Sequence, residues 1–162
     1  MSSHSFDMIR WLFKSEAATI HAKGAVNIVK EYEEVGDYDT AAILMQLDNK
    51  VLGICHEGRT CIHGYQIEME VIGTKGTLRV GTIPERNLIT IFDETGAVRE
   101  CSDYFLERFE KSYEIEIRKF VEAVNNGTKG FINEVDGLNS ARMSWASKQS
   151  ALTGKEIKLS DL

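Results

Sequence analysis

The sequence has a single proline, Pro84, and only three cysteines among its 162 residues. One proline excludes a Pro-rich linker. Cys55, Cys61 and Cys101 are odd in number and too sparse for a disulfide framework, which fits a reducing compartment. Basic charge is also short. Nineteen Lys and Arg stand against 25 Asp and Glu, a formal charge of −6, whereas a nucleic-acid phosphate surface needs a cationic surplus. No apolar run approaches the roughly 18 residues of a membrane span. The opening residues, MSSHSFDMIRWLF, show no basic leader followed by an apolar core, so the expectation is a cytoplasmic protein without nucleic-acid or membrane partners. No G-x-G-x-x-G opens a strand–turn–helix unit, and no G-x-S-x-G holds a serine nucleophile. Gly73-Thr74-Lys75-Gly76 and Gly127-Thr128-Lys129-Gly130 lack Walker spacing and read as turns.

What is present is an ordinary globular composition, 43% hydrophobic and 27% charged, long enough to bury roughly 70% of the surface of its unfolded chain. Phe6, Ile9, Arg10 and Phe13 predict a short helix over 3–13, with Ser3 or Ser5 available as its cap. Strands are expected at about 16–28, where Ala18, Ile20 and Ala22 alternate with Thr19, His21 and Lys23, then at 40–47, and at 51–61 after the turn Asp48-Asn49-Lys50. The acidic stretch 31–39 reads as a connection. Residues 65–72 carry the cleanest alternation, with Tyr65, Ile67, Met69 and Val71 on one side, and pair through a turn with 77–80; 88–92 is a further strand. The period then changes. Leu106, Phe109, Tyr113, Ile117, Phe120, Val121 and Val124 form one helical stripe, supported by the pairs Glu107–Lys111 and Glu114–Arg118, and Gly127 ends that helix. A second helix, 135–152, is expected to bury Leu138, Ala141, Trp145 and Leu152, before a short closing strand at Ile157 and Leu159. The fold class is α+β: an open, mostly antiparallel sheet with helices packed on one face.

Cys55-His56 with Cys61 and His63 is the one grouping that suggests a metal. Zinc needs four converging ligands. On a strand Cys55 and His56 face opposite ways, so buried thiols beside surface or cleft histidines are expected, and no metal.

Four fragments go further. His4-Ser5-Phe6-Asp7-Met8-Ile9-Arg10-Trp11-Leu12 resembles the H-x-x-D-x-x-R-W-L helix of the glucose–fructose oxidoreductase and inositol dehydrogenase (Gfo/Idh/MocA) family. Residues Cys61 to Gly76 are similar to its Y-G-Y-D-…-E-V-x-G-x-K-G hairpin. Phe105-Leu106-Glu107-Arg108-Phe109 with Tyr113 and Glu116 resembles the following F-x-x-R-F…A-Y…E helix. Asp136-Gly137, Ser140-Ala141 and Ser150 match its closing D-G…A…S helix. The four occur in the family's order and cover nearly the whole chain.

The resemblance implies that residues 1–162 form one C-terminal substrate-binding and oligomerisation domain, with the family's first C-terminal strand falling before Met1 and the NAD(P)-binding Rossmann domain absent. It implies His4 as the catalytic acid–base group, a task that suits imidazole because that side-chain type titrates near neutrality. The aspartate and lysine that accompany this histidine in the family lie outside the chain. His63 and Tyr65 stand at the hairpin's two tyrosine positions and are implied substrate contacts. His63 for tyrosine and Gln66 for aspartate are departures that leave the substrate's identity open. No residue is assigned to cofactor or metal; NAD or NADP is implied for the complete enzyme. Asp7 and Arg10, three apart, can equally form a surface pair, Tyr65 can equally be core, and His4 can be a solvated terminal side chain.

The expected function is the substrate-binding and oligomerising half of an NAD(P)-dependent oxidoreductase of a polyol or sugar, inactive without a Rossmann domain supplied in cis or trans. The alternative is a stand-alone, non-catalytic binding or scaffold module using the same sheet. An unrelated hydrolase lacks a nucleophile–base pair. Both main readings expect a homo-dimer or tetramer through the sheet, because Ala41, Ile43 and Met45 oppose Ala42 and Leu44 and make both faces of 40–47 apolar.

Overall fold

The structure is a computed structural model and describes residues 2–83, 85–130 and 132–162. In chain order its elements are α1 (Ser3–Phe13), β1 (Ala17–Ala25), α2 (Glu31–Glu34), β2 (Thr40–Leu47), β3 (Leu52–Gly58), β4 (Met69–Gly73), β5 (Gly76–Val80), β6 (Glu85–Asp93), β7 (Gly96–Cys101), α3 (Phe105–Arg108), α4 (Glu110–Asn126), α5 (Glu134–Thr153) and β8 (Ile157–Lys158), closed by a 3-10 turn at Leu159–Asp161. Helices and antiparallel strands mix as the α+β expectation requires. The chain divides into two compact units, Met1–Arg59 with Phe131–Leu162, and Thr60–Gly130.

The first unit is a four-stranded sheet in the order β3-β2-β1-β8. Alternation decides its inner face. Ile20 pairs with Met45, Ala22 with Ile43, Ile43 with Cys55, and Met45 with Gly53, and Ile20, Ala22, Ile43, Met45 and Cys55 are buried. A register shift between Ala17 and Thr19 puts Ala17, rather than Ala18, into the core. Phe6 of α1 and Met143 and Ala146 of α5 complete the cluster. Each fully buried large side chain is worth about 1.5–3 kcal/mol relative to exposure. Lys14 in the left-handed region ends α1, and Asn49 ties the β2–β3 turn to it by donating from Nδ2 to the Phe13 carbonyl.

The strand at 16–28 is trimmed to β1 and that at 51–61 to β3, so Cys61 lies in a loop. The acidic connection contains the short α2, followed by Asp39. This carboxylate is buried and accepts from the backbone N–H groups of Asn27, Ile28 and Val29 and from Thr40 Oγ1, which folds residues 26–30 around it. Those donors hold its pKa far below the usual carboxylate range, Val29 foremost.

α5 faces the opposite way from the expectation. Leu138, Ala141, Trp145 and Leu152 are exposed, while Ser140, Met143, Ala146, Ser147 and Ser150 are buried. Small side chains let α5 approach β1 closely, and two of the hydroxyls are satisfied internally. Ser150 Oγ accepts from Ala22 N at 2.9 Å and donates to the Lys155 carbonyl at 2.6 Å; Ser147 Oγ donates to the Met143 carbonyl. Asn133 caps the helix by accepting from Val135 N, and Asp136 Oδ2 accepts from Asn133 N.

The second unit consists of the hairpins β4–β5 and β6–β7 with α3 and α4. The strand expected at 65–72 begins only at Met69, because 65–68 have no partner strand. Tyr65 N donates instead to the Ser102 carbonyl, and Gln66 Nε2 to the carbonyls of Gly81 and Thr82. β7 went unseen in the sequence pattern. The long helix breaks at Phe109 into α3 and α4. Glu114 and Arg118 pair as expected, but Glu107 pairs with Arg86 rather than Lys111. The stripe Tyr113, Ile117, Phe120, Val121 and Val124 is exposed, and α4 buries no residue.

Candidate functional site

His4 lies in the first turn of α1 and is exposed. Met8 and Trp11 follow it at i+4 and i+7 and are exposed on the same helix face. The opposite face anchors the helix. Arg10 is buried, and its guanidinium grips Glu16 through two bonds, Nε to Oε2 at 2.6 Å and Nη2 to Oε1 at 2.8 Å. It also reaches Asp7 Oδ1, Asp136 Oδ1 and the Asp136 carbonyl, each at 3.3 Å. Arg10 therefore locks α1 to Glu16, just ahead of β1, and to Asp136 at the start of α5. Its hydrogen bonds hold the Glu16 carboxyl below the usual range. The Asp, the Arg and the later Asp-Gly of the recognised fragments thus form one clamp that positions the helix carrying His4.

His63 and Tyr65 lie in the second unit, in the loop before β4. His63 is exposed, with both ring nitrogens 3.4 Å from Cys61 Sγ. Tyr65 is 37% exposed, so it is neither core nor free. Its ring meets Phe109 edge-on at 6.1 Å and lies 6.2 Å from Phe105, which itself stacks near Tyr104 and Tyr113.

Cys55 points into the first unit's core and His56 out of it. Burial pushes the Cys55 thiol up to about 12, with the Glu57 charge adding to the effect. Among the described residues no three His, Cys, Asp or Glu side chains converge to hold a metal ion, and no helix is long and apolar enough to cross a membrane. Two shallow hollows occur where α5 meets the chain end. One of about 300 Å³ is lined by Trp145, Gln149, Ile157, Lys158, Asp161 and Leu162 among others. The second lies between Arg142, Trp145, Asp161 and Leu162. None of the sequence candidates lines either hollow. Helical spacing places Trp145 in the core, so the sequence pattern gives no sign of these hollows.

Comparison with known proteins agrees with this architecture. Residues 1–79 match the family described as the GFO/IDH/MocA C-terminal domain. The Bacillus subtilis oxidoreductase YrbE is 32% identical over 98% of this chain and 47% of its own length. The myo-inositol 2-dehydrogenase of Thermotoga maritima is 27% identical over the whole chain and 48% of its own length. The crystal structure of scyllo-inositol dehydrogenase from Lactobacillus casei, with bound NAD(H) and scyllo-inositol, superposes with a TM-score of 0.93 at 34% identity, covering 99% of this chain and 47% of that one. The chain thus spans about half the length of the curated relatives it matches.

Proposed function

Because the chain belongs to the GFO/IDH/MocA family as its C-terminal domain, we propose that it is the substrate-facing half of an NAD-dependent inositol dehydrogenase. Both compact units belong to that one domain in this reading. The observation that carries it is His4, exposed on the outward face of a helix whose other face is locked by the Arg10 clamp. This occurs in a chain matched end to end by inositol dehydrogenases. A rigid, accessible imidazole can take the proton of a substrate hydroxyl during oxidation of the carbon that bears it. His63 and Tyr65, on the second unit, are proposed in their own right as contacts for a polyol hydroxyl.

All strand pairs among the described residues are antiparallel, and no glycine-rich turn leads from a strand into a helix there. We infer that NAD is held by the other half of such an enzyme and that this chain by itself does not turn over inositol.

The chain also self-associates through the outer sheet face. Leu44 pairs with Ile54 across the strands, and both are exposed, as is Leu52. β3 has no outer partner among the described residues. An apolar sheet face beside an open edge favours association with a second copy.

The test is completion with a dinucleotide-binding half. The chain is joined behind the N-terminal half of the Lactobacillus casei enzyme and assayed for NADH formation with myo- and scyllo-inositol. Turnover is expected only in the joined protein, and His4→Ala should lower kcat by about 10²–10⁴-fold. Tight NAD binding by this chain alone, or an unaffected His4→Ala variant, would sink the assignment.

A further inference from the structure

The pairing of the first unit's strands fixes the outer face of its sheet row by row. His56 on β3 stands opposite Ala42 on β2, which stands opposite Lys23 on β1. Ile54, Leu44 and His21 form the next row, and Leu52, Gln46 and Thr19 the third, with Lys158 of β8 beyond. The intervening Ile20, Ala22, Ile43, Met45 and Cys55 are buried in the core, so these rows lie on the opposite face. Two of the chain's four histidines therefore flank the exposed Leu44 and Ile54. His21 is half-buried and His56 exposed. Charge on this face is one-sided. The chain carries −6 overall, yet no strand position on the face is Asp or Glu. Lys158 stands beside Thr19, and Lys23 leans toward α5, its Nζ 3.7 Å from where a Cβ on Gly154 would sit. Carboxylates reach only the margins. Glu156 accepts from Thr19 Oγ1 at 3.2 Å, and Asp39 accepts from Thr40 Oγ1 while bound by the backbone of 27–29. Across the strands His21 meets Leu44 and His56 meets Ala42, with no acid opposite either.

We propose that His21 and His56 make assembly through this face pH-dependent: two copies join while the imidazoles are neutral and separate when they take up protons. The inference rests on the self-association proposed above and adds what controls it. The occupant is a second copy. His4 lies on α1, whose Phe6 packs against the inner side of the sheet, so whatever serves His4 works on the helical side and leaves the outer face open. Two copies meeting there bring their imidazoles together beside Leu44 and Ile54, with Lys158 adding charge of the same sign. Burying an imidazolium in that contact costs free energy that no facing carboxylate offsets, and like charges repel across it. An ordinary imidazole changes charge near neutrality, so the balance turns on mild acidification.

Sedimentation equilibrium of the full chain at about pH 8 and about pH 5.5, either side of the ordinary imidazole range, reads the dissociation constant. It should rise at least about tenfold on acidification, because each imidazole protonated only in the separate chain contributes up to about a factor of ten per pH unit. His21→Gln with His56→Gln should stay assembled at both. A wild-type constant that ignores pH would overturn the switch and leave self-association standing. A double variant that dissociates as the wild type does would equally overturn it, and a wild type monomeric at both values would overturn the switch and the self-association together. Labelling with diethyl pyrocarbonate, read by mass spectrometry, needs no histidine variant. His56 should react several-fold more slowly in the assembled wild type than in the chain carrying Leu44→Glu and Ile54→Glu, while the exposed His4 and His63 react alike in both. Equal labelling of His56 would place it outside the contact and refute its role. None of these readouts depends on inositol oxidation, so the dehydrogenase assignment is tested separately.

Discussion

Gly24 has no side chain because Tyr38 already occupies that space: a Cβ there would fall 2.4 Å from the ring's Cγ. Ring atoms 2.4–2.7 Å from that Cβ must shift to admit it, so Gly24→Ala should cost about 1–3 kcal/mol. Thermal melts should show most of that loss recovered when Tyr38→Ala is added, and no recovery would mean the strain lies elsewhere. Asp39 makes a second residue-scale case. Its folded carboxyl titrates well below the ordinary range, held there by Val29 N–H first and then by Asn27 and Ile28. Its stabilising contribution is therefore complete above the unfolded carboxylate's range, about pH 4, and is lost as acid protonates it in the folded protein. Chemical denaturation across pH 2–7, a range set by that linkage, should show wild type losing stability on acidification more steeply than Asp39→Asn. Identical slopes would remove the carboxylate from the account. Thiol chemistry separates the cysteines in the same way. Cys55 is buried, with its thiol pushed up to about 12, whereas Cys61 is exposed. Iodoacetamide on the folded protein should label Cys61 and spare Cys55, with mass spectrometry of the digested protein as the readout.

At the scale of elements, the Arg10 clamp and the Ser150 bridge decide how helices meet strands. Arg10 is buried while Glu16, Asp7 and Asp136 remain partly exposed. Arg10→Leu should then cost more than the 0–1 kcal/mol of an exposed pair and no more than the about 3–5 kcal/mol of a fully buried one. It should also loosen α1. Hydrogen exchange at 3–13 rising together with exchange at 134–138 would show one clamp; a rise confined to α1 would mean that Asp136 is held independently. Ser150→Ala strands the buried Ala22 N–H, which has the serine hydroxyl as its partner. A loss of about 1–3 kcal/mol is expected, and calorimetry would show it.

At the scale of the whole molecule, the apolar outer face of the first unit's sheet predicts self-association. Leu44→Glu with Ile54→Glu places charge where two copies would meet, at positions 46% and 78% exposed in the single chain. Sedimentation should show the wild type as a dimer or tetramer and the double variant as a monomer with unchanged melting. A monomeric wild type at working concentration would refute this use of the sheet. The same variant leaves α1 and α5 untouched, which keeps assembly and completion of the enzyme experimentally separate.

Much of this was legible in the sequence because it is local. Thr40–Leu47 is a strand in which the buried Ile43, Met45 and Leu47 alternate with the outward Ala42, Leu44 and Gln46, and every pairing partner respects that period. Phe6 and Arg10 mark the buried side of α1 by spacing alone, and the fragment around them pointed to the family. Other features depended on partners that spacing does not name. Tyr65 to Glu68 alternates as a strand would, yet a strand needs a neighbouring ladder, and here Gln66 takes the carbonyls of Gly81 and Thr82 instead. Gly96–Cys101 alternates weakly and is a strand because β6 lies beside it.

The sequence by itself determined most of the elements and the α+β class, since periodicity, capping and turn residues act within a few positions of one another, and its family resemblance supplied the residues offered for chemistry. Only the tertiary structure decided which side of α5 is inside. Its serines look polar in isolation but become buried once Ser150 bridges Ala22 and Lys155 and Ser147 bonds back to Met143, and Trp145 is left facing outward. Burial is a property of what a face meets across space, and for α5 that meeting lies more than a hundred residues away in the chain.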